Sequence, residues 1–228
     1  MIYLLKNKKL LMCLILFTVW LYGAWALYHL LIEPAIKGMT DNEYVRVLLR
    51  DGVIKSLVWT LPAVLLIRRF SSDMLIGMRQ LFSFRKAALK YLLIAVPLAA
   101  FVLIAPLLRG KGINISPTFH PSKLITVLFV GFTEEIVFRG LYLNASLKGA
   151  DTNAKKYTAV GVNALMFLVI HFPIWISTGT FTANFASFAF VTIIALSVLF
   201  SFCTINCRNI WVASILHSFY DMLVFVFV

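Results

Sequence analysis

Long apolar runs alternate with short, mostly basic polar segments along the chain. The runs cover residues 10–32, 53–67, 91–108, 124–147, 157–177, 183–202 and 210–228. A helix needs about 20 predominantly apolar residues to cross a bilayer. The pattern therefore predicts an all-α, polytopic membrane protein with about seven transmembrane helices. Residues 33–51 read as an external loop with a short interfacial helix, Pro34 breaking the first run. Between residues 70 and 90, Arg79, Arg85, Lys86 and Lys90 alternate with Leu, Phe and Met, which predicts a basic amphipathic segment on the cytoplasmic membrane face. Pro97 and Pro106 predict kinks in the third run, and residues 109–123, rich in Gly, Pro and Ser, read as an outer loop. With no internal repeat or linker, residues 1–228 read as one integral membrane domain. Its N-terminal spans, residues 10–123, carry no motif, and its motifs fall in residues 124–228.

Composition sharpens this picture. Hydrophobic residues make up 61% of the chain and charged residues 13%, with a mean hydropathy of +0.93. Soluble domains carry about a quarter charged residues, so this chain has too little polar surface to stay in solution. A net charge of +12 raises nucleic acid as a partner. The basic residues, however, lie between apolar runs rather than on one face or tail, as juxtamembrane charges do, and this argues for no nucleic acid. With the N-terminus inside, the cytoplasmic segments hold Lys6, Lys8, Lys9, the cluster from Arg68 to Lys90, Lys148, Lys155, Lys156 and Arg208. The outer segments hold Lys37, Arg46, Arg50, Arg109, Lys111 and Lys123. The excess inside predicts a cytoplasmic N-terminus. Ala24-Trp25-Ala26 forms a formal signal-cleavage site, but the run continues past it, which favours an uncleaved first span. Cys13, Cys203 and Cys207 make neither a CxxC nor a metal-type spacing and read as packing residues.

Charge inside the spans is the next anomaly. The fourth run contains GFTEEIVFRG, residues 131–140, with Glu134, Glu135 and Arg139. One charge near the bilayer centre costs about 2.5–3.5 kcal/mol on insertion scales. Glu135 and Arg139, four apart, share a helical face and can pair; Glu134 is rotated by about 100° from Glu135. This predicts an internal ion pair at Glu135–Arg139, with Glu134 left free to face a polar cavity. The alternative is a single buried salt-bridge network without chemistry. The fifth run carries His171, with Phe167 four residues earlier and Asn163 as a candidate partner. The seventh carries His217 and Asp221, spaced for an imidazole-to-carboxylate bond. Lys55 reads as a lysine near the outer end of its span that snorkels to the interface, and His29 as an interfacial residue. Counted from the inner basic boundaries, Glu134 and His171 lie roughly 21 and 22 Å deep, His217 and Asp221 roughly 13 and 19 Å. Depths within about two helical turns of one another are compatible with one site.

EEIVFR, FLVIH and HSFYD fit the patterns E-E-x-x-x-R, F-x-x-x-H and H-x-x-x-N/D, in that order on three predicted membrane helices. The chain thereby resembles the intramembrane endopeptidases named for CAAX processing and bacteriocin processing, which include the prenyl-protein endopeptidases. The resemblance covers the chain from about Leu124 onward. It implies that Glu134 and His171 activate a water for attack on a peptide carbonyl, and that His217 and Asp221 form the group that stabilises the oxyanion. Phe167, Glu135 and Arg139 would support them. Asp221 stands where prenyl-protein endopeptidases have Asn; ionised Asp cannot donate a hydrogen bond, so it would orient His217 or hold a proton. This points to the bacterial-type branch, in a bacterial plasma membrane, with a membrane-associated peptide or protein as substrate and no cofactor. Two other functions remain open. The same four residues could bind a divalent metal such as zinc, although no HExxH is present. The fold could also serve a non-catalytic immunity or scaffold role. A transporter fits less well, because no paired broken-helix repeat is visible.

Overall fold

This computed structural model describes residues 2–108, 110 and 112–227, and among the described residues seven long helices follow one another. Arg109 and Lys111, counted above among the outer charges, and Val228 at the end of the seventh run lie outside the described residues. Lys8–Met39, Lys86–Leu108, Asn153–Ser177 and Ala189–Cys207 are long and apolar enough to cross a membrane. Continuous helices over residues 43–69 and 123–147 have the same reach but carry charged side chains, and Trp211–Val226 is apolar with 16 residues. Among the described residues there is no strand, only an isolated bridge between Ile115 and Phe227. Large apolar side chains such as Val19, Leu93 and Leu128 face outward, while Asp51, Glu135 and Arg139 are buried. Outward apolar groups suit hydrocarbon, and inward charges satisfy one another away from it. The protein is an all-α polytopic membrane protein.

The second helix starts earlier than its apolar run. Asn42 caps it by accepting the N–H groups of Tyr44 and Val45 through its side chain. The helix then continues through Arg50, Asp51 and Gly52 in wide, π-type turns. Asp51 therefore lies inside a helix rather than at the end of an external loop. It can do so because Arg50 grips its two oxygens at 3.0 and 2.7 Å and Thr126 donates at 2.7 Å.

The fourth helix, residues 123–147, is the axis of the site. It is α-helical over Lys123–Glu135 and widens to π-type turns over Ile136–Leu143. Gly131 lets the seventh helix approach closely, since a Cβ there would lie 2.8 Å from the Ser218 backbone nitrogen and 2.9 Å from the Ser214 carbonyl oxygen. At the far end, Asn144 clasps the backbone of Ile76, accepting its N–H at 2.7 Å and donating to its carbonyl at 2.8 Å. The 70–90 segment is thus a series of short helical turns whose Met74, Ile76 and Leu81 are buried against the protein.

Two proline effects and one break differ from simple spans. The third helix is tight 3-10 over Lys86–Ile94 and becomes α-helical two residues before Pro97, while Pro106 remains within the α-helix. The fifth is interrupted between Val169 and Phe172, because Pro173 has no N–H and its ring crowds the carbonyl four residues back. The sixth apolar run is divided at Phe188, whose φ of 58° separates Phe181–Ala186 from Ala189–Cys207.

Candidate active site

The break at Pro173 prepares His171. Its N–H turns to the Leu168 carbonyl at 3.0 Å, which leaves the Phe167 carbonyl without its α-helical partner. The His171 ring takes that carbonyl, Nδ1 donating to it at 2.8 Å. Donation to a carbonyl places the proton on Nδ1, so Nε2 of the neutral ring carries a lone pair. The partner is Phe167, not Asn163. Phe167 also packs edge-on to both His171 and His217.

Glu134, His171, His217 and Asp221 line one cavity of about 430 Å³. It lies toward the end of the fourth helix that begins at Lys123, opposite the end where the N-terminal turns pack beside Asn144–Leu147. From Lys123 to Glu134 is about 16 Å along the helix axis. Thr178, Thr180 and Asn184 contribute polar groups to its wall, and Trp25, Trp59 and Trp175 apolar ones.

Glu134 and Glu135 meet different surroundings. Glu135 is fully buried; its Oε1 accepts from Arg139 at 2.9 Å and from His217 Nδ1 at 2.9 Å. Arg139 donates in addition to the carbonyl and hydroxyl of Ser197, at 3.1 and 2.9 Å, and lies over the Phe167 ring at 4.5 Å. Glu134 reaches the cavity but is not free, because Lys55 Nζ donates to its Oε1 at 2.7 Å. Its Oε2 is 4.0 Å from His217 Nε2.

Three expectations are corrected here. Lys55 does not snorkel to the interface; it is buried, held between the Trp25 and Trp59 rings at 4.9 Å from each centroid, with Asp51 at 3.9 Å. An ammonium between a carboxylate and two aromatic faces is compensated where it stands. The carboxylate bonded to His217 is Glu135; Asp221 lies 3.6 Å from Nε2, beyond hydrogen-bond length. His29 is buried against Trp25 and bonded to Glu33 at 2.6 Å, not interfacial.

Lys55, Asp51, Arg50 and Thr126 all line the cavity and were not assigned to it from the sequence. The available signal was the Asp51–Lys55 spacing of four, on a helix that an ionisable pair makes costly unless it has a partner. Among the described residues, no group of three His, Cys, Asp or Glu side chains could hold a metal ion.

Residues 116–223 match the family model described as type II CAAX prenyl endopeptidase Rce1-like. The chain carries an Rce1-like domain. This is the CAAX-type endopeptidase family to which the three motifs pointed, and it is a family of membrane proteases. The Rce1-like domain includes Glu134, Glu135, Arg139, Phe167, His171, His217 and Asp221. Lys55, Asp51 and the two tryptophans flanking Lys55 lie outside it. Comparison with curated proteins and with solved structures gives no significant match.

Proposed function

We propose that the protein is a glutamate-dependent intramembrane endopeptidase that cleaves a membrane-associated peptide or protein. The observation that carries this reading is the shared cavity, where the Glu134 carboxylate and the His171 and His217 rings face one space inside a protease-family domain. Glu134 Oε2 accepts a proton from a water that His171 Nε2 orients. The water oxygen bonds to the peptide carbonyl carbon as the carbonyl π pair moves onto oxygen. Collapse breaks the C–N bond, and Glu134 passes its proton to the leaving nitrogen. Glu135 holds the His217 ring, and Arg139 holds Glu135.

The substrate is an apolar, lipidated or membrane-tethered segment, because the cavity is walled by helices long and apolar enough to cross a membrane, Lys8–Met39 and Asn153–Ser177 among them. We place the protein in a bacterial plasma membrane with a cytoplasmic N-terminus, which puts the cavity in the outer half. The Lys55–Glu134 bond also suits a second reading, a satisfied charge network in a non-catalytic immunity or scaffold protein. Comparative peptidomics of membranes carrying wild-type protein or Glu134→Ala separates the two. The peptidase reading expects at least one peptide made only by wild type; identical peptidomes at equal protein abundance favour the scaffold.

A further inference from the structure

Addition of water to a peptide carbonyl places a full negative charge on the carbonyl oxygen, and enzymes meet it with a prearranged donor or cation. Among the charged and imidazole side chains around this cavity, Arg50, His171 and His217 already spend nitrogens on bonds within the protein. Arg50 is bound through two nitrogens to Asp51. His171 and His217 each use Nδ1 within the protein, on Phe167 and Glu135. Lys123 lies over the Phe225 ring at 5.4 Å, about 16 Å along the helix axis from Glu134. Lys55 differs. Its ammonium has three N–H groups, one hydrogen bond to Glu134, and a place in the cavity wall beside the proposed general base.

We infer that Lys55 is a catalytic residue of the peptidase reaction, its ammonium group stabilising the oxyanion on the scissile carbonyl; this rests on the peptidase reading above. Before reaction the negative charge is on Glu134, and Lys55 neutralises it. When the water proton moves to Glu134, that carboxyl becomes neutral. The new C–O bond simultaneously pushes the carbonyl π pair onto oxygen. The site's net charge is unchanged, but the negative charge has moved from Glu134 to the substrate. Lys55 loses its one hydrogen-bonded carboxylate at the moment an alkoxide appears beside it, and a rotating ammonium can follow the charge. When the C–N bond breaks, the Glu134 proton leaves with the amine, the carboxylate returns and the Lys55–Glu134 pair re-forms. Trp25 and Trp59 restrain the ammonium without supplying a competing anion, and Asp51 stands at 3.9 Å, beyond hydrogen-bond length.

The test uses full-length protein in proteoliposomes, with the precursor of the peptide found by the Glu134→Ala comparison as probe. Rates are normalised to folded protein. Removing one oxyanion donor lowers kcat by about 100- to 1,000-fold. Lys55→Gln should fall in that range with KM within about threefold of wild type. Ethylamine in the buffer should restore part of the activity of Lys55→Ala and none to Glu134→Gln. A merely structural lysine predicts neither the selective loss of kcat nor the rescue by amine. Lys55→Gln with kcat within about threefold of wild type, beside an inactive Glu134→Gln, overturns the role of Lys55 and leaves the peptidase reading standing. An active Glu134→Gln overturns both. Where Lys55→Gln fails to fold, Lys55→Arg decides: folded and measurably active is expected, folded and as inactive as Glu134→Gln overturns the proposal.

Discussion

Glu134 and Glu135 are consecutive residues on one helix, yet they belong to regions built on different terms. Behind the helix, Glu135, Arg139 and Ser197 form a buried network, stacked on Phe167 and Phe200, that reaches His217 in the cavity wall. On the cavity side, Glu134 has one strong partner, Lys55, and a second oxygen facing the space between His217 and Asp221. The first region has every reason to be rigid. The second has spare bonding capacity where a substrate could enter. Sequence adjacency therefore does not imply similar work; a rotation of about 100° moves a carboxylate from a structural network to a reactive surface.

The largest effect that could break this comparison comes from the buried side. Removing one partner of a buried ion pair costs about 3–5 kcal/mol, because the other charge is left uncompensated. Arg139→Ala should therefore abolish the monodisperse peak in detergent size-exclusion chromatography. Wild-type levels of folded Arg139→Ala would show that the Glu135 network is dispensable. Next comes Gly131, which sets the distance between the helix bearing Glu134 and the helix bearing His217. Its virtual Cβ meets backbone atoms of Ser214 and Ser218 that cannot swing away. Gly131→Ala should cost about 1–3 kcal/mol as an overpacked contact, read as a lowered thermal midpoint; an unchanged midpoint would mean the two helices are free to separate.

The smallest effect calibrates the others. Asp151 pairs with Lys155 at 2.6 Å, also four residues apart, but is exposed. The Lys155 hydrogen bond holds its carboxyl below the usual range. Any stability from that pair is present above the unfolded carboxylate's pKa and is lost as the pH falls through the lowered one. Solvent screening leaves little of it. Asp151→Asn should not move the thermal midpoint at neutral pH, in contrast to Arg139→Ala, whose partner is also one turn away. A clear drop would mean that burial is not what separates the two pairs.

Much of this arrangement was legible in the chain. Apolar runs located the seven helices because hydrocarbon admits few alternatives, and the spacing of Glu135 and Arg139 described their contact correctly. The second helix was truncated because Arg50, Asp51 and Gly52 look like the end of a loop when their partner is hidden. Thr126, which helps satisfy Asp51, lies on another helix 75 residues away. The same applies to Lys55, whose partner Glu134 is 79 residues away. His217 offered two carboxylates, and local spacing favoured Asp221 over the tertiary partner Glu135. Spacing along a helix shows which pairs are possible, and packing between helices decides which form.

The most direct measurement is a side-by-side comparison of Glu134→Gln and Glu135→Gln for folded protein by size exclusion and for peptide product by mass spectrometry. Glu134→Gln can still accept from Lys55 and should fold at the wild-type level without making product. Glu135→Gln removes the charge shared by Arg139 and His217 and should chiefly reduce the amount of folded protein. Product formation by Glu134→Gln at the wild-type rate would contradict the account, whatever Glu135→Gln does.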